Sequence, residues 1–198
     1  MNREKPMSKL VAVDLAKSYR LLNHGPTVLV SSAHAGEQNV MAAAWAMPLD
    51  FDPPKVLVVV DKATHTRELM EASGEFVLNI PCRAQAEQVL TAGSCSGKEV
   101  DKFAVSGIIA LPGETVAAPH VDGCIAYLEC RIISEPHNQQ RYDLFIGEVL
   151  AARADPDVWH DGHWNFDGHD AKRSLHYIAG GNFFSIGEQF AVAARQAE

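Results

Sequence analysis

No stretch of this 198-residue chain stays apolar for the roughly 20 residues that cross a bilayer. The charged N-terminus, MNREKPMSKL, leads into no apolar segment of the kind a secretory signal needs. A cytoplasmic protein with no membrane partner is therefore expected. Positive charge is scarce as well: 17 Lys and Arg stand against 25 Asp and Glu, a formal net charge of −8. Nucleic acid needs a basic face, so none is expected as a partner. A small anion, which needs only a few local donors, is compatible with this charge. The four cysteines, Cys82, Cys95, Cys124 and Cys130, form no C-x-x-C pair. Neither a zinc knuckle nor a thioredoxin-type motif is indicated, and reduced thiols are the plain expectation. The dinucleotide fingerprint G-x-G-x-x-G is missing too.

Two segments imitate known motifs and fail. GSCSGKE (93–99) has three residues between its glycines where a phosphate-binding P-loop needs four, and Glu99 stands where Ser or Thr would hold magnesium. Read as a nucleophile elbow around Cys95, it should follow a strand and open a helix. Here a helical pattern precedes it and polar residues follow, so it reads as a Gly/Ser loop with a passive thiol. WHDGHWNFDGHDAKR (159–173) places His160, His163 and His169 close in sequence. Three imidazoles could gather a metal, but two glycines and uneven spacing describe a lid-like loop equally well, and no metal is assigned.

What is present is mostly strand. PTVLVSSA (26–33) is β-branched after a Gly-Pro break, and NVMAAAWA (39–46) returns as its hairpin partner across HAGEQ. LDFDPP is expected to be a loop, because Pro53 and Pro54 cannot donate to a ladder. KVLVVV (55–60) is apolar on both faces and EFVLNI (75–80) is another strand. CIAYLECRII (124–133) and YDLFIGEVLAA (142–152) should form a hairpin about HNQQ. Helices are short: 64–73, opened by threonines and stopped by Gly74; 83–93, with Ala86, Val89 and Leu90 on one face; and a C-terminal helix over 188–198. Strands outnumber helices and short turns join them. One domain is expected, mainly β with short helices, an antiparallel sheet or a barrel rather than a doubly wound α/β fold.

One segment has binding chemistry of its own. In DKATHTRELM (61–70) a helix start offers unpaired N–H groups and a partial positive end, with Lys62, Thr64, Thr66 and Arg67 adding donors and charge. Plain capping by Thr64 or Thr66 explains the threonines equally well. Lys98 and Lys102 near Asp101, and Phe183–Phe184 between glycines, read alone as a charged turn and as core or interface.

Taken in order, GPTVLVSSA…QNVMAAAWAMPLDFDPPKVLVVV, THTRELMEASGEFVLNIP, DKFAVSGI, FIGEVLAA and GGNFF resemble the flavin reductase-like family of FMN-binding split barrels, and within it the flavoredoxin type. The resemblance covers about residues 20 to 187. It implies a split β-barrel, an antiparallel Greek-key barrel, binding FMN, with FAD an alternative. Asn39, Val40, Met41, Ala42, Ala44 and Trp45 would lie on the flavin-contacting strand. Lys62, Thr64, His65, Thr66 and Arg67 would face the phosphate and ribityl side, Lys102 would reach the cofactor, and Phe183 or Phe184 would lie near it. Met41 stands where a hydroxyl residue is common in the family, which leaves a backbone contact there. The implied activity is hydride transfer from NADH or NADPH to flavin N5, with no side-chain acid or base. The alternative is an electron carrier with permanently bound FMN, fed by a redox protein partner. A homodimer is implied as well.

Overall fold

The computed structural model describes residues 26–192. The strand β1 (Val28–His34) turns through Ala35 and Gly36, both at positive φ, into β2 (Glu37–Ala43). Such a two-residue turn matches the twist of its strands and makes His34↔Glu37 the hydrogen-bonded closing pair. β3 (Ala46–Phe51) and β4 (Pro54–Val59) follow, then helix α1 (His65–Ser73) and β5 (Glu75–Ile80). Thr64 caps α1 and Gly74 ends it in the left-handed conformation, as the sequence predicts. A 3₁₀ turn leads into α2 (Ala86–Ser94), and α3 (Lys102–Ser106) is capped by Asp101. The short strands β6 (Ala110–Leu111) and β7 (His120–Val121) precede β8 (Ala126–Ile133), α4 (Pro136–Tyr142) and β9 (Leu144–Ala154). Two small hairpins close the described chain: β10 (Trp159–His160) with β11 (His163–Trp164), and β12 (Leu175–Ala179) with β13 (Asn182–Ser185).

Seven strands form one antiparallel sheet in the order β2-β1-β5-β8-β9-β4-β3. β2 and β3 are its two edges, yet they are one run of chain, bent at Ala44 and Trp45. The sheet therefore curls until its edges meet through covalent bonds, and Val59 N–H donates to the Trp45 carbonyl at the seam (3.0 Å). The interior is filled from every wall: Val28 and Val30, Val56, Val58 and Val60, Phe76 and Leu78, Cys130, Phe145, with Met70 of α1 as a plug. Phe76 reaches across to β9, where a Cβ on Gly147 would lie 2.5 Å from its ring. Only glycine leaves that room.

Four expectations are corrected. LDFDPP is not a loop throughout: Leu49–Phe51 end strand β3, Asp52 and Pro53 turn, and Pro54 starts β4. As an edge strand β3 tolerates Pro48, whose missing N–H faces no partner, and its register shifts between Pro48 and Asp50. HNQQ is not a tight turn but the body of α4, started by Pro136 and ended by Asp143 at positive φ. Trp45 lies beyond the end of β2, in the bend. Residues 186–192 are not helical; Arg173 Nη1 donates to the carbonyls of Ile186 (3.3 Å) and Gly187 (2.6 Å) and holds that segment extended. The rest of the 188–198 expectation lies outside the described residues. All four cysteines are free, and burial pushes the Cys130 thiol up to about 12.

Candidate functional site

The free edge of β2 organises the site. With His34↔Glu37 a hydrogen-bonded pair, alternation leaves the peptides of Gln38, Val40 and Ala42 turned away from β1. The side chains divide the same way. Val40 and Ala42 face α2, packing with Val89 and Ala92. Met41 and Ala43 face the barrel interior. Met41 therefore departs from expectation: its side chain belongs to the core and its peptide is paired with Val30.

Three adjoining hollows run along this edge. The first is an apolar recess of about 130 Å³ walled by Ala42, Ala43, Ala44, Leu90, Tyr177 and Phe183. Small side chains let the elements close up here: a Cβ on Gly93 would lie 3.2 Å from that of Ala42. Phe183 meets Tyr177 edge-on across the β12–β13 hairpin, with centroids 5.3 Å apart. Of the two phenylalanines, Phe183 faces the recess and Phe184 is exposed on the other side of its strand.

The second hollow, about 540 Å³, joins the first at Gly93 and Ser94 and reaches the start of α1. Thr64 is spent on capping, donating to the Asp61 carbonyl (2.7 Å) and accepting from Arg67 N–H (3.4 Å). The next amides, of His65 and Thr66, open the helix without an intrahelical acceptor, so an anion here would meet two donors and the helix dipole. Asn39, buried at the end of this hollow, donates to Thr66 Oγ1 (2.9 Å). The loop after α2 presses on it: a Cβ on Gly97 would lie 2.4 Å from Asn39 Oδ1. Lys102 is buried, 7% exposed, and donates to the Ala92 carbonyl at the end of α2 (2.8 Å). An ammonium has three donors, so two are left for the hollow. Burial lowers the Lys102 pKa, partly offset by the nearby Cys95 sulfur. The third hollow, about 530 Å³, continues from Asn39, Gly97, Glu99 and Lys102 toward Gly36–Gln38.

Three expected residues stand elsewhere. Arg67 is buried and its guanidinium is used inside the protein: it donates to Glu71 (2.8 Å), Asp143, and the carbonyls of Val60 (3.3 Å) and Gln139 (2.8 Å), 5.2 Å from the Phe145 ring. It fastens α1 to the start of β9 and lines none of the three hollows. Lys62 is exposed and lines none of them either. Trp45 is half-exposed in the bend beside Ala44. His65 lines the second hollow while its ring bridges Glu37 (2.9 Å) and Glu68 (3.0 Å). The histidines at 160, 163 and 169 do not converge, and among the described residues no group of three or more His, Cys, Asp or Glu could hold a metal. Gly93, Gly97, Glu99 and Tyr177 were not expected at the site. For the two glycines the signal was GSCSG itself, where they allow close approach to β2 rather than cradling phosphate; Glu99 and Tyr177 carried no local signal.

Comparison with known proteins gives this arrangement a family. Residues 20–169 match the flavin reductase-like domain, and the chain belongs to that family. It is 52% identical to the FMN-binding domain of a flavin reductase-like enzyme from Shewanella baltica OS155, covering 92% of this chain and 97% of that one, with a TM-score of 0.83. The flavoredoxin of Desulfovibrio vulgaris (Miyazaki F) is 28% identical, covering 98% of this chain and 97% of its own, with a TM-score of 0.75. YddH of Escherichia coli K12, an uncharacterised protein, is 42% identical over 186 residues, 92% of this chain and 98% of its own. The fold is the split barrel of these relatives, and the flavin reductase-like resemblance read from the sequence holds.

Proposed function

We propose that the chain binds FMN and acts as an NAD(P)H-dependent flavin reductase. The observation that carries this is the free edge of β2, lined with alanine, running from an apolar recess to an anion-ready helix start. A flat tricyclic ring needs a close apolar wall with peptide donors and acceptors on one side. Ala42 and Gly93 supply the closeness, and the outward peptides of Val40 and Ala42 supply the polar edge. The phosphate would take the amides of His65 and Thr66 and one of the two spare donors of Lys102. When bound, FMN supplies hydride acceptance at N5 from a reduced nicotinamide. The chain contributes position and exclusion of water, and no residue of the groove is placed as an acid or base.

The likeness to flavoredoxin supports a second reading, an electron carrier with resident FMN served by a redox protein partner. The two readings separate in one experiment. The purified protein should be yellow, with a bound-flavin spectrum, and should oxidise NADH or NADPH with or without added FMN or FAD. A flavin spectrum with no nucleotide turnover would favour the carrier. A colourless protein that takes up no FMN would overturn both.

Two further properties belong to this reading. Free cysteines suit a reducing compartment, and no helix among the described residues is long and apolar enough to cross a membrane, so we assign the protein to the cytoplasm. The edge strand β3 exposes Met47, Leu49 and Phe51, and this apolar strip suits a homodimer.

A further inference from the structure

FMN would use the recess and the hollow at the start of α1. The third hollow, between the β1–β2 turn and residues 97–103, is left over. Most charges around it are already committed. Glu37 is paired with His65 (2.9 Å) and Lys98 with Glu68 (2.7 Å). Asp101 accepts from the Phe103 and Ala104 amides at 3.0 and 3.3 Å. Two charged groups remain. The Glu99 carboxylate has no hydrogen-bond or ion-pair partner among the described residues, and Lys102, with one spare donor given to the FMN phosphate, keeps one more. Both line the second and third hollows together, so they stand where the two meet. Beyond them the third hollow has an aromatic wall, Phe103, and the outward peptide of Gln38.

A cation, an unpaired carboxylate, an aromatic ring and a free peptide edge match an adenosine 5′-phosphate. Its phosphate would meet Lys102, its ribose diol Glu99, and its base Phe103 and the Gln38 peptide. The hollow's volume of about 530 Å³ lies in the range of small-ligand sites. We propose that the hollow between the β1–β2 turn and residues 97–103 is a subsite for the adenosine 5′-phosphate half of a dinucleotide whose other half lies in the flavin groove. FAD and NADH both carry that half. A carboxylate accepts from a ribose 2′-hydroxyl and repels a 2′-phosphate, so NADPH is disfavoured. The dinucleotide form of the inference rests on the flavin reading; binding of the adenylate alone does not.

Isothermal titration of the purified full chain with AMP and with adenosine 2′,5′-bisphosphate tests it. AMP should bind, and the bisphosphate should bind about ten-fold more weakly. Glu99→Gln should erase that difference. Val100 is exposed and lines only this hollow, so Val100→Trp should abolish AMP binding and leave FMN affinity unchanged. If FAD binds more tightly than FMN and Val100→Trp removes the advantage, the adenylate is that of FAD. If NADH binds the FMN-loaded protein more tightly than reduced nicotinamide mononucleotide, and Val100→Trp removes that advantage, it is that of NADH. No AMP binding at about 5 mM, or AMP binding that neither substitution changes, would overturn the subsite. Failure to bind FMN with AMP binding intact would overturn the flavin reading and support the subsite.

Discussion

Lys102 holds an ammonium where little water reaches it, and this makes its charge sensitive to pH. Burial lowers its pKa from the usual 10.5, so its charge is lost at a lower pH than an exposed lysine would lose it. FMN affinity should therefore fall as pH rises toward that value. Lys102→Met should weaken FMN about ten- to hundred-fold, the worth of a charge-assisted hydrogen bond, and flatten the alkaline decline. Fluorescence titration at several pH values reads both effects. Gly97 is a residue where one methyl group decides the outcome. Gly97→Ala would drive a carbon into Asn39 Oδ1 and displace the side chain that donates to Thr66. A loss of about 1–3 kcal/mol in thermal unfolding is expected, together with weaker FMN binding. Unchanged melting would mean that the 96–99 loop yields instead.

At the scale of elements, the segment 112–121 is anchored to the outside of the barrel by a buried carboxylate, with Glu75 accepting from the Ala117 amide (3.0 Å) beside it. Glu129 on β8 is fully buried and accepts from the amides of Glu114 and Thr115 (2.6 Å each), the Thr115 hydroxyl, and His120 Nε2 (2.5 Å). Burial alone would raise its pKa. The Thr115, Glu114 and His120 donors outweigh that and hold it below the ordinary 4.5. The sign follows: with a folded pKa below the unfolded one, the stabilisation is present above about pH 4.5 and is lost as pH falls through the folded value. Glu129→Gln leaves amide facing amide and should cost about 3 kcal/mol at neutral pH. It should also remove part of the wild-type acid transition in circular dichroism.

The same segment marks the limit of what was legible. β1, β2, β4, β5, β8 and β9 announce themselves by β-branched runs, and α1 by its threonine cap and Gly74. Their ends move by no more than three residues. β3 was hidden because Pro53 and Pro54 read as a loop, whereas they make only the β3–β4 turn and the first residue of β4, and Pro48 is tolerable because β3 is an edge. At the site, Asn39, Thr66 and Lys102, all named from the sequence, line one hollow. Arg67 does not: its partners Asp143 and Gln139 lie more than seventy residues away in sequence, and no local pattern announces them. Met41 and Val40 differ only in strand parity, which the register fixes and composition does not.

For the whole molecule, the apolar strip on β3 is the feature that a lone copy leaves exposed. Phe51 is 97% exposed, with Met47 at 56% and Leu49 at 44%. An uncovered hydrophobic edge strand invites aggregation, whereas a second copy would bury it. Sedimentation velocity should find a dimer, and Phe51→Lys should shift it toward monomer, provided the interface buries roughly 1,000 Å² or more. A monomeric wild type at micromolar concentration would refute this.

The bend at Ala44–Trp45 ties the sheet's two edges together by covalent bonds. The chain here works as a belt buckle. Moving the termini to this point would let the belt spring open, with the groove at one loose end and the apolar strip at the other. Moving them to the Asp161–Gly162 tip would leave it fastened.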